Sequence, residues 1–106
     1  MHPFLAHLIG DFLIQTDWMA SNKKNNSFVA FVHVLTYLIP YVFTGLLWWQ
    51  IALIGVTHFA QDSSSFVEWW IRVWKKIPEG EWGVMPLVVD QVFHLLVIQI
   101  VTWMAT

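Results

Sequence analysis

His7, Asp11 and Gln15 stand four residues apart inside a run, from Pro3 to about Ala20, that is otherwise almost wholly apolar. On a helix the three share one face. The spacing returns as His58 with Asp62 and as Asp90 with His94, and His33 with Tyr37 is a weaker copy. In water such pairs are commonplace. Here 58% of residues are hydrophobic and 11% charged, which points to lipid as the solvent. In lipid a polar group must find a partner or a function.

Read this way, the 106 residues form one all-α domain, an integral membrane bundle of four transmembrane helices. The spans are predicted at about 3–20, 28–49, 51–67 and 86–104, with a short interfacial helix at about 67–77 after the third. The first lacks a basic leader and a small-residue cleavage site, so it reads as a retained span rather than a signal peptide. Ser27 is the expected cap of the second, and Pro40 should kink it. The third reaches across only if its helix continues through Ser63, Ser64 and Ser65 to Phe66. Eight tryptophans, several near the ends of apolar runs, suit the aromatic belt of a bilayer. Trp69, Trp70 and Trp74 among Glu68, Arg72, Lys75 and Lys76 suit a helix along the headgroups. In the four-span arrangement all five basic residues face one side, which by the positive-inside rule puts both termini outside the cytoplasm of a bacterial inner membrane.

Counting from the cytoplasmic helix ends, Asp11, His33, His58 and His94 fall roughly 9–14 Å deep. Gln15, Asp62 and Asp90 lie about one turn nearer the cytoplasm and His7 about one turn farther out. Carboxylates at that depth cost at least a few kcal/mol each unless something positive joins them. No Lys or Arg is available in that layer, which leaves protonated histidine or a cation. With no cysteine in the chain, nitrogen and oxygen must do the binding. The candidate ligands are His7, Asp11, His33, His58, Asp62, Asp90 and His94, suited to Zn²⁺, Mn²⁺ or Fe²⁺ ahead of Mg²⁺ or Ca²⁺. Gln15 and Gln91 would orient them. Lys24 is assigned to topology or to the mouth of the cavity. A net charge of −2 without a basic cluster argues against nucleic acid.

Beyond these spacings, the run His7-Leu8-Ile9-Gly10-Asp11-Phe12-Leu13-Ile14-Gln15-Thr16-Asp17-Trp18-Met19, then Asn22-Lys23-Lys24, His33, His58 with Asp62, and Asp90-Gln91 with His94, resembles a family of small bacterial and phage membrane proteins, domain of unknown function 3307. The resemblance covers nearly the whole chain. More distantly that family is similar to membrane-bound proteins described as metal-dependent hydrolases, and so implies a metal-binding helical membrane protein. Where the family leads one to expect a further histidine, one turn after His33, this chain has Tyr37. The site would then have one ligand fewer or use the phenol.

The expected function is metal-dependent hydrolysis within the membrane, on a lipid or lipid-linked phosphate or ester. Asp11, Asp62 and Asp90 are the candidate catalytic carboxylates, for a metal-activated water and a general base. The alternatives are a proton or metal-ion transporter, a haem protein with two facing histidines, and a non-catalytic membrane factor whose metal holds short helices together. Membrane lipid is the expected partner. Exposed Trp and Gly faces suggest a homodimer.

Overall fold

Pro3 opens the first helix at the position where a missing N–H costs nothing, and His2 Nδ1 accepts the amide of Phe4. The computed structural model describes residues 1–23 and 25–104, the side chain of Ala20 excepted, and these residues contain helices and no strands. Helix α1 (Pro3–Ile14) is α-helical to Leu8 and π-helical over Ile9–Ile14. At Gln15 the backbone turns extended, with ψ 123°. The single helix expected over 3–20 is thus broken in two. The Gln15 amide closes over the break by donating to the Asp11 carbonyl at 3.1 Å, and Thr16 caps the next helix by accepting the Met19 N–H at 3.2 Å. That helix, α2, is Asp17–Asn22.

Helix α3 (Ser27–Phe43) is capped by Asn26, whose side chain accepts the Phe28 N–H, and not by Ser27. It is α-helical to Tyr37 and tightens to a 3₁₀ turn over Ile39–Phe43 around Pro40, which cannot donate to the preceding turn. Gly45, with φ +80°, then turns the chain, so this helix stops short of the expected residue 49. Helix α4 (Trp48–Asp62) ends where the serines begin. Ser63 Oγ donates to the Phe59 carbonyl at 2.7 Å and Ser64 Oγ to that of Gln61, so these residues end the helix instead of carrying it to Phe66. Helix α5 (66–75) finishes on Lys76 in the left-handed region, φ 58°. Helix α6 (Met85–Trp103) has 19 residues.

Among the described residues α6 is the one helix long and apolar enough to cross a bilayer, while α1 and α3 are shorter apolar helices. The breaks at Gln15, Pro40 and Ser63 account for the difference from four full-length spans. Two apolar clusters bracket the middle of the molecule: Ala6, Tyr37, Tyr41, Ile54, Ile98 and Val101 at one end, and Val67, Ile71 and Val89 at the other. Between them the interior is polar, with His7, Asp11, His33, His58, Asp62 and His94 all buried. The outer surface is the reverse, exposing Leu5, Leu8, Phe12, Leu13, Phe31, Leu35, Val56, Val92, Leu96 and Ile100.

Gly10 sets the approach of α1 to α3. A Cβ there would lie 2.6 Å from Tyr37 Cδ1 and 2.8 Å from its carbonyl oxygen, and the carbonyl cannot swing aside. Gly10→Ala is expected to destabilise the protein by about 1–3 kcal/mol. Thermal unfolding in detergent measures it, and an unchanged midpoint would show that the two helices need not meet so closely.

Candidate metal centre

Four elements bring one polar rung each to the layer between the apolar clusters. Asp11 comes from the π-helical part of α1, His33 from α3, His58 and Asp62 from α4, and Asp90 and His94 from α6. His33 Nε2 lies 3.0 Å from His58 Nε2, 3.1 Å from Asp11 Oδ1 and 3.3 Å from Asp62 Oδ2. His58 Nε2 lies 3.0 Å from Asp62 Oδ2 and 3.5 Å from Asp11 Oδ1. Asp11 Oδ1 and Asp62 Oδ2 thus both approach the pair of imidazole nitrogens. Ligands held 2.0–2.2 Å from a tetrahedral cation stand about 3.3–3.6 Å apart, and neighbours in an octahedron about 3.0 Å apart. The observed separations fall in that range.

Hydrogen bonding alone accounts for the arrangement poorly. Asp62 Oδ2 is ringed by His58, His33 and Lys23 Nζ, the last at 3.4 Å, yet it accepts no well-directed hydrogen bond from the described residues. Charge points the same way. With neutral imidazoles, Asp11, Asp62 and Asp90 face Lys23 as the one fixed positive charge that contacts them among the described residues, which leaves two negative charges in a largely buried cluster. One divalent cation cancels them. Against this, Nδ1 of both His33 and His58 is buried without a hydrogen-bond partner among the described residues, and ligation through Nε2 puts the proton there. Such an orphan costs about 1–3 kcal/mol, small beside the ~10–16 kcal/mol that a structural zinc ion contributes in small domains.

His94 Nε2 sits beside this group, 3.5 Å from Asp62 Oδ1 and 3.4 Å from Asp90 Oδ1, with its ring stacked on that of His58 at 4.0 Å. His7 stands at the edge. Its Nδ1 is 2.7 Å from the Tyr37 hydroxyl, its Nε2 bonds to Gln91 Oε1, and Asp11 Oδ2 is 3.8 Å away. The direction of each hydrogen bond follows from the carboxylate. Gln91 Nε2 donates to Asp11 Oδ2 at 3.0 Å, so Gln91 Oε1 accepts from His7 Nε2. Neutral His7 then accepts at Nδ1 from Tyr37, which in turn accepts from Tyr41 at 2.7 Å. The chain Tyr41, Tyr37, His7, Gln91 ends on Asp11 and fixes that carboxylate with Oδ1 toward His33 and His58. Tyr37 also stacks on His58, centroids 3.8 Å apart, so its phenol orients ligands where a further histidine was expected.

Gln15 accepts from Lys23 Nζ at 2.9 Å. Lys23 thus stands at the cavity, and Lys24, the lysine assigned to its mouth, lies outside the described residues. Gln61 and Tyr41 were not anticipated. Gln61 donates to the Asp90 carboxylate at 2.8 Å and to its backbone carbonyl at 3.0 Å. Each had a signal: Gln61 is one turn from His58, and Tyr41 repeats the four-residue spacing after Tyr37.

No curated protein and no solved structure matches this chain. A family model does, over residues 1–106, and the chain belongs to the family it describes, Protein of unknown function (DUF3307).

Proposed function

We propose that this protein is a membrane-embedded, metal-dependent hydrolase whose cation is held by Asp11, His33, His58 and Asp62, and whose substrate is a lipid or lipid-linked phosphate or ester. The observation that carries the reading is that His33 Nε2 and His58 Nε2 lie 3.0 Å apart and that Asp11 Oδ1 and Asp62 Oδ2, from two of the three helices involved, each stand 3.0–3.5 Å from both nitrogens. A divalent cation there would supply Lewis acidity and acidify a water toward neutral pH. Two imidazoles with two carboxylates suit Zn²⁺, Mn²⁺ or Fe²⁺.

The membrane reading rests on the inverted distribution of polarity. Ionisable groups fill the interior while Phe12, Leu13, Phe31, Val56 and Ile100 face outward. In water an apolar surface of this extent is a liability, and in lipid it is the solvated face. Exposed Arg72, Lys75 and Lys76 cluster at one end, near Trp69 and Trp74, as at a headgroup boundary on the cytoplasmic side of a bacterial inner membrane. Asp90, half-buried and hydrogen-bonded by Gln61, is the carboxylate suited to take a proton from water.

Purified protein loaded with Zn²⁺ or Mn²⁺ in detergent should hydrolyse a lipid phosphate or a carboxylic ester. Turnover should vanish on chelation and in Asp11→Asn. Bound metal without turnover on either class, accompanied by proton or metal flux in sealed vesicles, would instead make the protein a carrier. Bound metal with neither would leave a structural role.

A further inference from the structure

The Asp62 carboxylate has two faces in use. Oδ2 points to His58 and His33, and Oδ1 lies 3.5 Å from His94 Nε2, which is itself 3.4 Å from Asp90 Oδ1. Asp62, Asp90 and His94 bring one ligand atom each within 4.8 Å of one another, as His33, His58 and Asp62 do. We propose that the protein holds two divalent cations bridged by Asp62, the second between Asp62 Oδ1, Asp90 and His94, and that this second ion receives an anionic phosphate. The proposal rests on the metal-centre reading above and deepens it in the number of ions and the class of substrate.

Side-chain amides are arranged for two sites. Gln91 Nε2 donates to Asp11 Oδ2 at 3.0 Å and to Asp90 Oδ2 at 3.3 Å, so one amide ties a ligand of the first ion to a ligand of the second. Gln61 holds Asp90 from the other side. Asp11, His58 and His94 also approach within 4.8 Å, as a single ion shared across the cluster would need. That grouping, however, gives His33, Asp62 and Asp90 no ion to bind, whereas the bridged pair uses Asp11, Asp62, Asp90 and every buried imidazole except His7, whose nitrogens are both engaged.

The two sites differ in ways that bear on substrate. The first has four protein donors and is enclosed. The second has three, and Asp90 is only half-buried. Three protein ligands with an open position are the pattern of catalytic rather than structural metal sites. A cavity of about 240 Å³ is lined by Gln15, Lys23, Asp62, Glu68, Leu87 and Asp90. It reaches two ligands of the second ion and neither Asp11, His33 nor His58. Charge is complementary to this geometry. Two divalent cations and Lys23 carry one positive charge more than Asp11, Asp62, Asp90 and Glu68 together, so an anionic phosphate meeting the second ion and the Lys23 ammonium is favoured. Paired cations that clamp a phosphate group are a recurrent catalytic device.

Titration of the purified wild-type protein with Mn²⁺, followed by elemental analysis and electron paramagnetic resonance, tests this. Two Mn²⁺ per chain are expected at saturation, exchange-coupled through Asp62, with the weaker occupancy raised by inorganic phosphate. His94→Ala and Asp90→Asn should each bind one Mn²⁺ and lose the coupling while keeping their helical circular dichroism. A single ion per chain in the saturated wild type, two uncoupled ions, or retention of two by either variant would overturn the bridged pair, and indifference to phosphate would overturn the anion assignment. No bound ion at all would instead overturn the metal-centre reading itself.

Discussion

Asp62→Asn should release the metal, because its two carboxylate oxygens serve opposite sides of the centre. Its carboxylate meets His33 and His58 on one side, His94 on the other, and the Lys23 ammonium. The amide keeps the size and shape of the side chain, so the loss is one of charge. Removing one member of a buried, paired set costs about 3–5 kcal/mol, or roughly 10²–10³-fold in metal affinity. Protein purified without added metal should then carry almost none, whereas Asp17→Asn, at an exposed carboxylate one helix away, should carry as much as the wild type. Elemental analysis of the three proteins decides the matter. Full metal content in Asp62→Asn would mean that the cation, if present, is held elsewhere.

The four-residue rungs were legible in the sequence because ionisable residues are rare in these apolar segments, and a helix puts such pairs on one face. Asp11, His33, His58, Asp62 and His94, from four helices, do meet. The helix ends were harder to read. Gln15 is an ordinary helix former, and only the chance to donate its amide to the Asp11 carbonyl, with Thr16 ready to cap α2, makes a break there favourable. Ser63 and Ser64 have hydroxyls that compete for backbone carbonyls, and whether they end a helix depends on what packs beyond them. The role of Tyr37 depended on a contact 30 residues away in sequence, with His7, that no local pattern encodes. That Lys23 reaches Gln15 and Asp62 follows from the turn after α2, which no local pattern encodes.

Chelation should lower the thermal midpoint by far more than any single packing substitution. At a metal concentration a thousandfold above the dissociation constant, binding to the folded state alone contributes about 4 kcal/mol, which for a domain of this size corresponds to a fall on the order of 15–30 °C. The charge balance refines the expectation. In the metal-free protein Lys23 is, among the described residues, the fixed positive charge in contact with Asp62, so Lys23→Met should destabilise the chelated form much more than the loaded one, in which the cation already compensates the carboxylates. The two midpoints of wild type and variant, each with and without chelator, form a double cycle. A coupling of zero would show that Lys23 does not offset the buried carboxylates. A chelation shift of only a degree or two would show that the cluster is stable on its own hydrogen bonds, and that the metal, where it binds, serves reaction and not fold.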